Sequence, residues 1–258
     1  MNYEGFKAQV LSLTGINLTA YKENQMKRRI DALIKKNMCH SYDEYLIKLK
    51  GDRKSLEDFV AYLTINVTEF FRNPSQWEVL EQQIFPLLLQ KKRNIKIWSA
   101  ACSTGDEPYS LAMTLSKLMP TSQIQILATD IDKEVLAKAQ EGFYQSRNLA
   151  NLPKSFQEKY MTPVADGFQV KDDLKKCITF KQHNLLKDPY PSGMDLIVCR
   201  NVLIYFTEEA KREIYTNFNR ALADDGILFV GSTEQIIMCQ DFGFEPNKIF
   251  FYQKKKKM

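Results

Sequence analysis

The chain has 258 residues, is 44% hydrophobic and 26% charged, and carries a net charge of +5. A chain of this length buries a substantial core, as one large domain or a small module joined to a larger one, and its mild positive charge favours an acidic partner but falls short of a dedicated nucleic-acid binder. No uninterrupted apolar run is long enough to cross a bilayer, and the five cysteines (Cys39, Cys102, Cys177, Cys199, Cys239) are scattered without a CxxC pair, so a cytoplasmic protein with reduced thiols and no metal is expected.

Residues 1 to about 70 read as a small all-helical domain. Phe6, Val10 and Leu13, then Met26, Ile30, Leu33 and Ile34, recur at helical spacing, and Leu56, Phe59, Val60 and Leu63 give a last helix over Ser55–Asn66. The charged stretch Lys50–Lys54 predicts a turn before it. Residues 71–258 form the larger domain. Asn73-Pro74 predicts a helix start with Asn73 as the cap, and Pro86 predicts a kink or early end of that helix.

From Ile95 onward strands and helices alternate. Ile95–Ser99 predicts a strand, Glu107–Leu118 a helix and Ile124–Thr129 a second strand, after which Asp132 caps another helix. Met194–Arg200 and Gly226–Gly231 predict strands flanking a helix over Thr207–Leu222, and Ile249–Gln253 a last strand. The expected fold class is α/β, a doubly wound sheet. Gly167–Val170 and Cys177–Phe180 are too close for a crossover helix and predict a hairpin, hence a small antiparallel β insertion at about residues 160–182. The run Lys254–Lys257 reads as a solvated tail.

The loop Ala100–Glu107 joins a strand to a helix and is built of small residues, so a ligand is expected to approach its backbone. One glycine fails the GxGxxG dinucleotide pattern, and the Gly-Lys-Ser/Thr of a phosphate loop is missing. Asp106 and Glu107 at the helix start repel phosphate and suit a cationic centre such as a sulfonium with an α-amino group; equally, they complement the helix dipole. At the end of the second strand Asp132 has a capping duty, which leaves Asp130 without a structural one and free to accept from ribose hydroxyls. Together the loops describe a nucleoside site without a phosphate grip.

The stretches Asn66-Val67-Thr68-Glu69-Phe70-Phe71-Arg72-Asn73-Pro74 and Trp98–Ser110 carry a family resemblance. So do Ala128-Thr129-Asp130-Ile131, His183-Asn184-Leu185-Leu186, Cys199–Phe206 and Gly231-Ser232-Thr233-Glu234. In this order, and over essentially the whole chain, the sequence resembles the CheR-type glutamate O-methyltransferases that act on chemotaxis receptors, the methyl-accepting chemotaxis proteins. The resemblance implies an S-adenosylmethionine-dependent methyltransferase sheet, no metal, and S-adenosylhomocysteine as product. It implies that Asn66, Thr68 and Arg72 line the cofactor cleft, that Glu107 and Asp130 hold the methionine and ribose ends, that Asn184 and Leu185 flank the adenine, and that Asn201 and Val202 close the site. On the residues alone, Asn66 and Thr68 read equally as turn formers and Arg72 as a solvated charge or a carboxylate-binding fork.

A glutamate carboxylate, with an ordinary pKa of about 4.3, is already an anionic nucleophile at neutral pH, so alignment is the main task and no general base is named. Arg72 and Tyr205 are expected to position it. In the helical module Lys22, Arg29 and Lys36 form one ridge, with Arg28 and Lys35 beside it, a basic face that is either solvated or fitted to acidic receptor helices. The expected partner is the cytoplasmic domain of membrane chemoreceptors, with no nucleic acid, no insertion into the membrane, and a monomeric state. Methylation of RNA and a non-catalytic nucleoside-binding scaffold are the competing readings; no zinc knuckle and no RRM-type aromatic signature supports the former.

Overall fold

The computed structural model describes residues 1–255 and divides into two compact units, Met1–Asn66 with Val202–Glu213, and Val67–Asn201 with the residues from Ile214 onward. Lys256 and Lys257 of the basic run lie outside the described residues. Among those described, no helix is long and apolar enough to cross a membrane, and all five cysteines are buried and free.

The first unit is all-helical, with α1 (Tyr3–Thr14), α2 (Glu23–Lys36), α3 (Tyr42–Gly51) and α4 (Arg53–Thr64). The apolar spacing of α2 does what it predicts, burying Met26, Ile30, Leu33 and Ile34. Phe59 of α4 is fully buried between Phe6 and Tyr45, meeting their rings edge-on at 6.2 and 5.8 Å. The turn expected over Lys50–Lys54 shrinks to Asp52 alone. Its carboxylate accepts from the Lys54 and Ser55 amides, so one capping residue both ends α3 and starts α4.

The unit also takes in a stretch far away in sequence. The Lys22 amide donates to the Tyr205 carbonyl (2.9 Å), Thr207 donates to the Ala20 carbonyl (2.8 Å), and the rings of Tyr21 and Phe206 lie 4.7 Å apart. These bonds tie Val202–Glu213 to the loop before α2.

The second unit opens with α5 (Pro74–Val79), a π-helical turn over Leu80–Ile84, and α6 (Phe85–Lys91). Pro86 lacks the N–H for a regular helical bond, and the wider turn just before it lets the chain stay helical where a kink or stop was expected. Pro74 occupies the first turn as expected, but Asn73 makes no side-chain cap and sits at φ 60°. The chain continues through β1 (Ile97–Ala100), α7 (Asp106–Leu115), β2 (Ile126–Asp130), α8 (Lys133–Glu141), β3 (Phe143–Tyr144), α9 (Lys154–Tyr160), β4 (Met161–Val164), β5 (Gly167–Val170) and α10 (Asp172–Lys175). It ends with β6 (Ile178–Gln182), β7 (Met194–Cys199), α11 (Glu208–Ala221), β8 (Leu222–Val230), β9 (Phe244–Lys248) and β10 (Phe251–Lys254).

Seven strands form a mixed sheet in the order β6-β2-β1-β7-β8-β10-β9. Strands β6, β2, β1, β7 and β8 are parallel, and β10 pairs antiparallel with β8 and β9. Strands β1 and β7 are buried along their whole length, which explains why they are mostly apolar, with Ser99 and Asp195 the polar exceptions. Successive strands spread to one side of β1 and then to the other, so the switch in strand order lies between β1 and β7. Ligands in open α/β sheets sit at the carboxyl ends of strands at such a switch.

The expected hairpin between 167–170 and 177–180 does not form. β5 lies in a separate three-stranded antiparallel sheet, β3-β5-β4, while β6 pairs in parallel with β2 in the large sheet. The crossover helix that β6 requires is α8, and the small sheet is inserted between that helix and β6. The spacing from β5 to β6 therefore says nothing about their pairing.

Candidate active site

The loop after β1 is bent by left-handed residues, Ala101 at φ 62°, Ser103 at 49° and Gly105 at 91°, and Asn201, which follows Arg200 at the end of β7, stands at 62°. Non-glycine residues in this region cost on the order of 1–2 kcal/mol each, so they persist where surrounding bonds fix them. The Ser103 amide donates to Asp130 Oδ2 (2.8 Å), and the Asp132 amide donates to Asp130 Oδ1 (3.0 Å). The His183 amide donates to the Asp130 carbonyl (2.9 Å), which brings Asn184 and Leu185 to the same corner. Asp130 therefore has the structural duty that the sequence reading denied it. An acid ending a strand is the nearest acceptor for amides that the tight loops turn inward. Asp132 does cap α8, accepting from Glu134 (2.9 Å).

On the other side of the crevice stands Arg200, only 7% exposed. Its Nη2 donates to the Arg72 carbonyl (2.7 Å), Gln76 Oε1 (2.7 Å) and Asn73 Oδ1 (3.2 Å), and its Nη1 lies 3.6 Å from Glu107 Oε2. Its guanidinium faces the rings of Phe229 and Trp77 at 4.8 and 5.7 Å. Ser99 donates to Glu107 Oε1 (2.8 Å). Glu234 accepts the Asn201 amide (2.5 Å) and the Gly231 amide (2.9 Å) through one oxygen. Phe71, at φ 50°, donates its amide to Ser110 Oγ (3.1 Å). Each strained turn is thus held by a buried polar partner on another element.

Burial pushes the Asp106 and Asp130 carboxyls up to about 6 each; Thr104 Oγ1 and the Ser103 and Asp132 amides oppose the shift. Burial also pushes the Glu107 carboxyl up, against the charge of Arg200 and the hydroxyl of Ser99. Acids dominate the loop, and its buried Ser103 Oγ has no protein partner, nor has Asn201 Oδ1. Asp130 accepts backbone amides through both carboxylate oxygens, and a carboxylate with about four acceptor sites keeps capacity for a hydroxyl. This donor set fits a nucleoside bearing a cationic centre and lacks what a phosphate needs.

Of the residues singled out from sequence, Glu107, Asp130, Asn184, Leu185 and Asn201 gather at the strand ends of the second unit. Thr68 and Arg72 are half-buried on the segment that Arg200 straps down, and Arg72 Nη1 donates to the Val67 carbonyl (3.2 Å). Asn184 Oδ1 accepts from the Leu186 amide (2.9 Å), forming a turn that leaves Leu185 buried. Asn66, Val202 and Tyr205 belong to the first unit. On α2, Arg28, Lys35 and Lys36 are exposed, as is Lys22 before it. Arg29 leaves the expected ridge, because its guanidinium stacks on Tyr62 at 4.5 Å and donates to the Tyr62 carbonyl. Sequence reasoning passed over Arg200, Ser99, Ser103 and Glu234 as site-builders. The available signal was an arginine directly after a mostly apolar strand, Met194–Cys199 then Arg200.

Two outcomes are expected. Protonating Asp130 replaces an acceptor by a donor, so affinity for S-adenosylhomocysteine, read by calorimetry, falls as pH drops through about 6, and Asp130→Asn binds weakly with a flattened profile. An acid raised from 3.8 to about 6 holds more protons folded than unfolded between those values. Its contribution therefore stabilises the fold at the acidic end and is lost as pH rises through 6, opposite in sign to the affinity. Arg200→Lys cannot reproduce a fork that reaches four groups, and is expected to lower both the melting temperature and cofactor affinity, the latter roughly ten-fold or more.

A family model described as the SAM binding domain of CheR methyltransferase matches residues 66–250, and one described as its all-alpha domain matches residues 1–64. A chemotaxis protein methyltransferase of Listeria innocua is 44% identical over 241 residues, covering 93% of this chain and 92% of that protein. Proteins of the same name from Borreliella burgdorferi and Escherichia coli are each 37% identical, covering 86% and 85% of this chain and 83% and 79% of their own. Both halves of the sequence and the geometry of the strand ends agree with these matches, and the chain belongs to the CheR methyltransferase family.

Proposed function

We propose that the protein transfers a methyl group from S-adenosylmethionine to glutamate side-chain carboxylates of bacterial chemoreceptors, giving glutamyl methyl esters and S-adenosylhomocysteine. The observation that carries the reading is the acid-lined switch crevice, where Asp130 is fixed between two loops with acceptor capacity to spare, in a chain of this family.

The cofactor, when bound, supplies a methyl activated by its sulfonium. Asp130 accepts from the ribose hydroxyls, and Glu107, held by Ser99 and beside Arg200, faces the cationic methionine end. Leu185, buried two residues after His183, whose amide donates to the Asp130 carbonyl, offers an apolar wall for the base. The substrate glutamate needs no general base, because a carboxylate is already ionised at neutral pH. One of its oxygens forms the new bond to the methyl carbon as the carbon–sulfur bond breaks and sulfur keeps the electron pair. Arg72, on the segment fixed by Arg200, orients that carboxylate. The rate gain comes mainly from alignment and exclusion of water.

The exposed Arg28, Lys35 and Lys36 of α2 form the basic face offered to acidic receptor helices. Arg28 and Lys35 line a hollow of about 510 Å³ with Asn24, Lys27, Asp31 and Ala32.

Incubation with labelled S-adenosylmethionine and membranes rich in chemoreceptors is expected to label receptor protein, and mild alkali is expected to release the label as methanol; label stable to alkali would exclude a methyl ester. Reversing the charge at Arg28, Lys35 and Lys36 together is expected to raise KM for receptor without changing affinity for S-adenosylhomocysteine. That increase shrinks as salt is raised. An unmoved receptor KM would leave the ridge a solvated face.

A further inference from the structure

Tyr144 is one of the two residues of β3, in the small antiparallel sheet, and is buried at 5% exposure. Its hydroxyl donates to the Thr104 carbonyl at 2.6 Å, inside the loop between β1 and α7. Thr104 immediately precedes Gly105, the left-handed residue at φ 91° from which α7 departs. A Cβ at Gly105 would stand 2.9 Å from the Ala139 Cβ and 3.1 Å from the Tyr144 hydroxyl, so the backbone of the loop is pressed against α8 and β3. The Tyr144 ring meets Phe70 edge-on at 4.8 Å and Tyr109 of α7 at 6.3 Å. One side chain thus touches the loop, the helix that starts from it, and the segment leading to Arg72. On the sheet side, Tyr144 pairs with Phe168 of β5, and a Cβ at Gly167 would collide with the Tyr144 carbonyl.

We propose that Tyr144 is a positioning residue for cofactor binding: its hydroxyl makes the small sheet a buttress that fixes the Thr104–Gly105 peptide, and through it the placement of Asp106 and Glu107. The inference rests on the reading of the switch crevice as the cofactor site. Without the hydroxyl, the Thr104 carbonyl loses its partner in a buried setting. The least costly relief is rotation of the adjoining peptide, since Gly105 has the conformational freedom to follow. That rotation carries the first turn of α7 with it. Asp106, which accepts from Thr104 Oγ1 at 2.7 Å, moves with the same residue. Burial raises the Tyr144 phenol well above its ordinary pKa, so it is a donor at neutral pH.

The test compares the wild-type protein with Tyr144→Phe, which keeps the ring contacts and removes only the hydroxyl, and with Phe168→Leu, which disturbs the same sheet away from the bond. Calorimetric affinity for S-adenosylhomocysteine, KM for S-adenosylmethionine, kcat and the melting temperature are measured for each. Tyr144→Phe is expected to raise the dissociation constant and cofactor KM about ten-fold, with kcat at saturating cofactor within about two-fold of wild type. Phe168→Leu is expected to lower the melting temperature and leave cofactor affinity alone. Unchanged affinity in Tyr144→Phe overturns the inference, and so does an equal loss of affinity in Phe168→Leu, which would reduce Tyr144 to general packing. If the wild-type protein bound no S-adenosylhomocysteine, the cofactor reading itself would fall and this one with it.

Discussion

A guanidinium buried at the end of β7 organises the methyltransferase unit. Arg200 holds the Arg72 carbonyl, Asn73 and Gln76 with one nitrogen and faces Glu107 with another. Removing such a charge from water costs several kcal/mol, and only the combined carbonyl, amide, carboxylate and ring contacts offset that cost. The arrangement gives little net stability. Its gain is geometric, because one planar group fixes the segment before α5, the first turn of α7 and the carboxyl end of β7 relative to one another. Burial pushes the Glu107 carboxyl up, and the Arg200 charge and the Ser99 hydroxyl oppose that shift.

The loops around the crevice depend on ties of the same kind. Ser103 and Asn201 occupy left-handed backbone that side chains avoid, and each is anchored by an acid from a neighbouring strand or loop, Asp130 and Glu234. These acids have a double employment. They absorb the cost of the strained turns through their hydrogen bonds, and they place acidic groups at the strand ends. A single chemical choice at the strand ends therefore sets both the shape and the acidic character of the loops.

The helical unit shows a different economy. Met26, Ile30, Leu33 and Ile34 face inward from α2, leaving Arg28, Lys35 and Lys36 in solvent. Charge sits on this helix because its apolar positions are already spent on the core. Arg29 marks the boundary between the two faces: its guanidinium lies over the Tyr62 ring, so a residue that counts as surface charge by spacing works as packing.

Periodicity in the sequence determined the order of elements, the inward face of α2, the capping role of Asp132 and the acidic loop after β1, because these follow from contacts within a few residues. The motifs at Asn66–Pro74, Trp98–Ser110 and Cys199–Phe206 determined the family, because they recur in one order over essentially the whole chain. Only the tertiary structure decided that β6 joins β2 rather than β5, since the crossover runs through α8 across an insertion that spacing cannot see. It also decided that Val202–Glu213 joins the helical unit, that Asp130 ties two loops together, and that Arg200 is the hub of the crevice. Those outcomes depend on groups far apart in the chain meeting in a medium without water, where every buried charge and amide must find its partner, and no local pattern of residues records which partner that is.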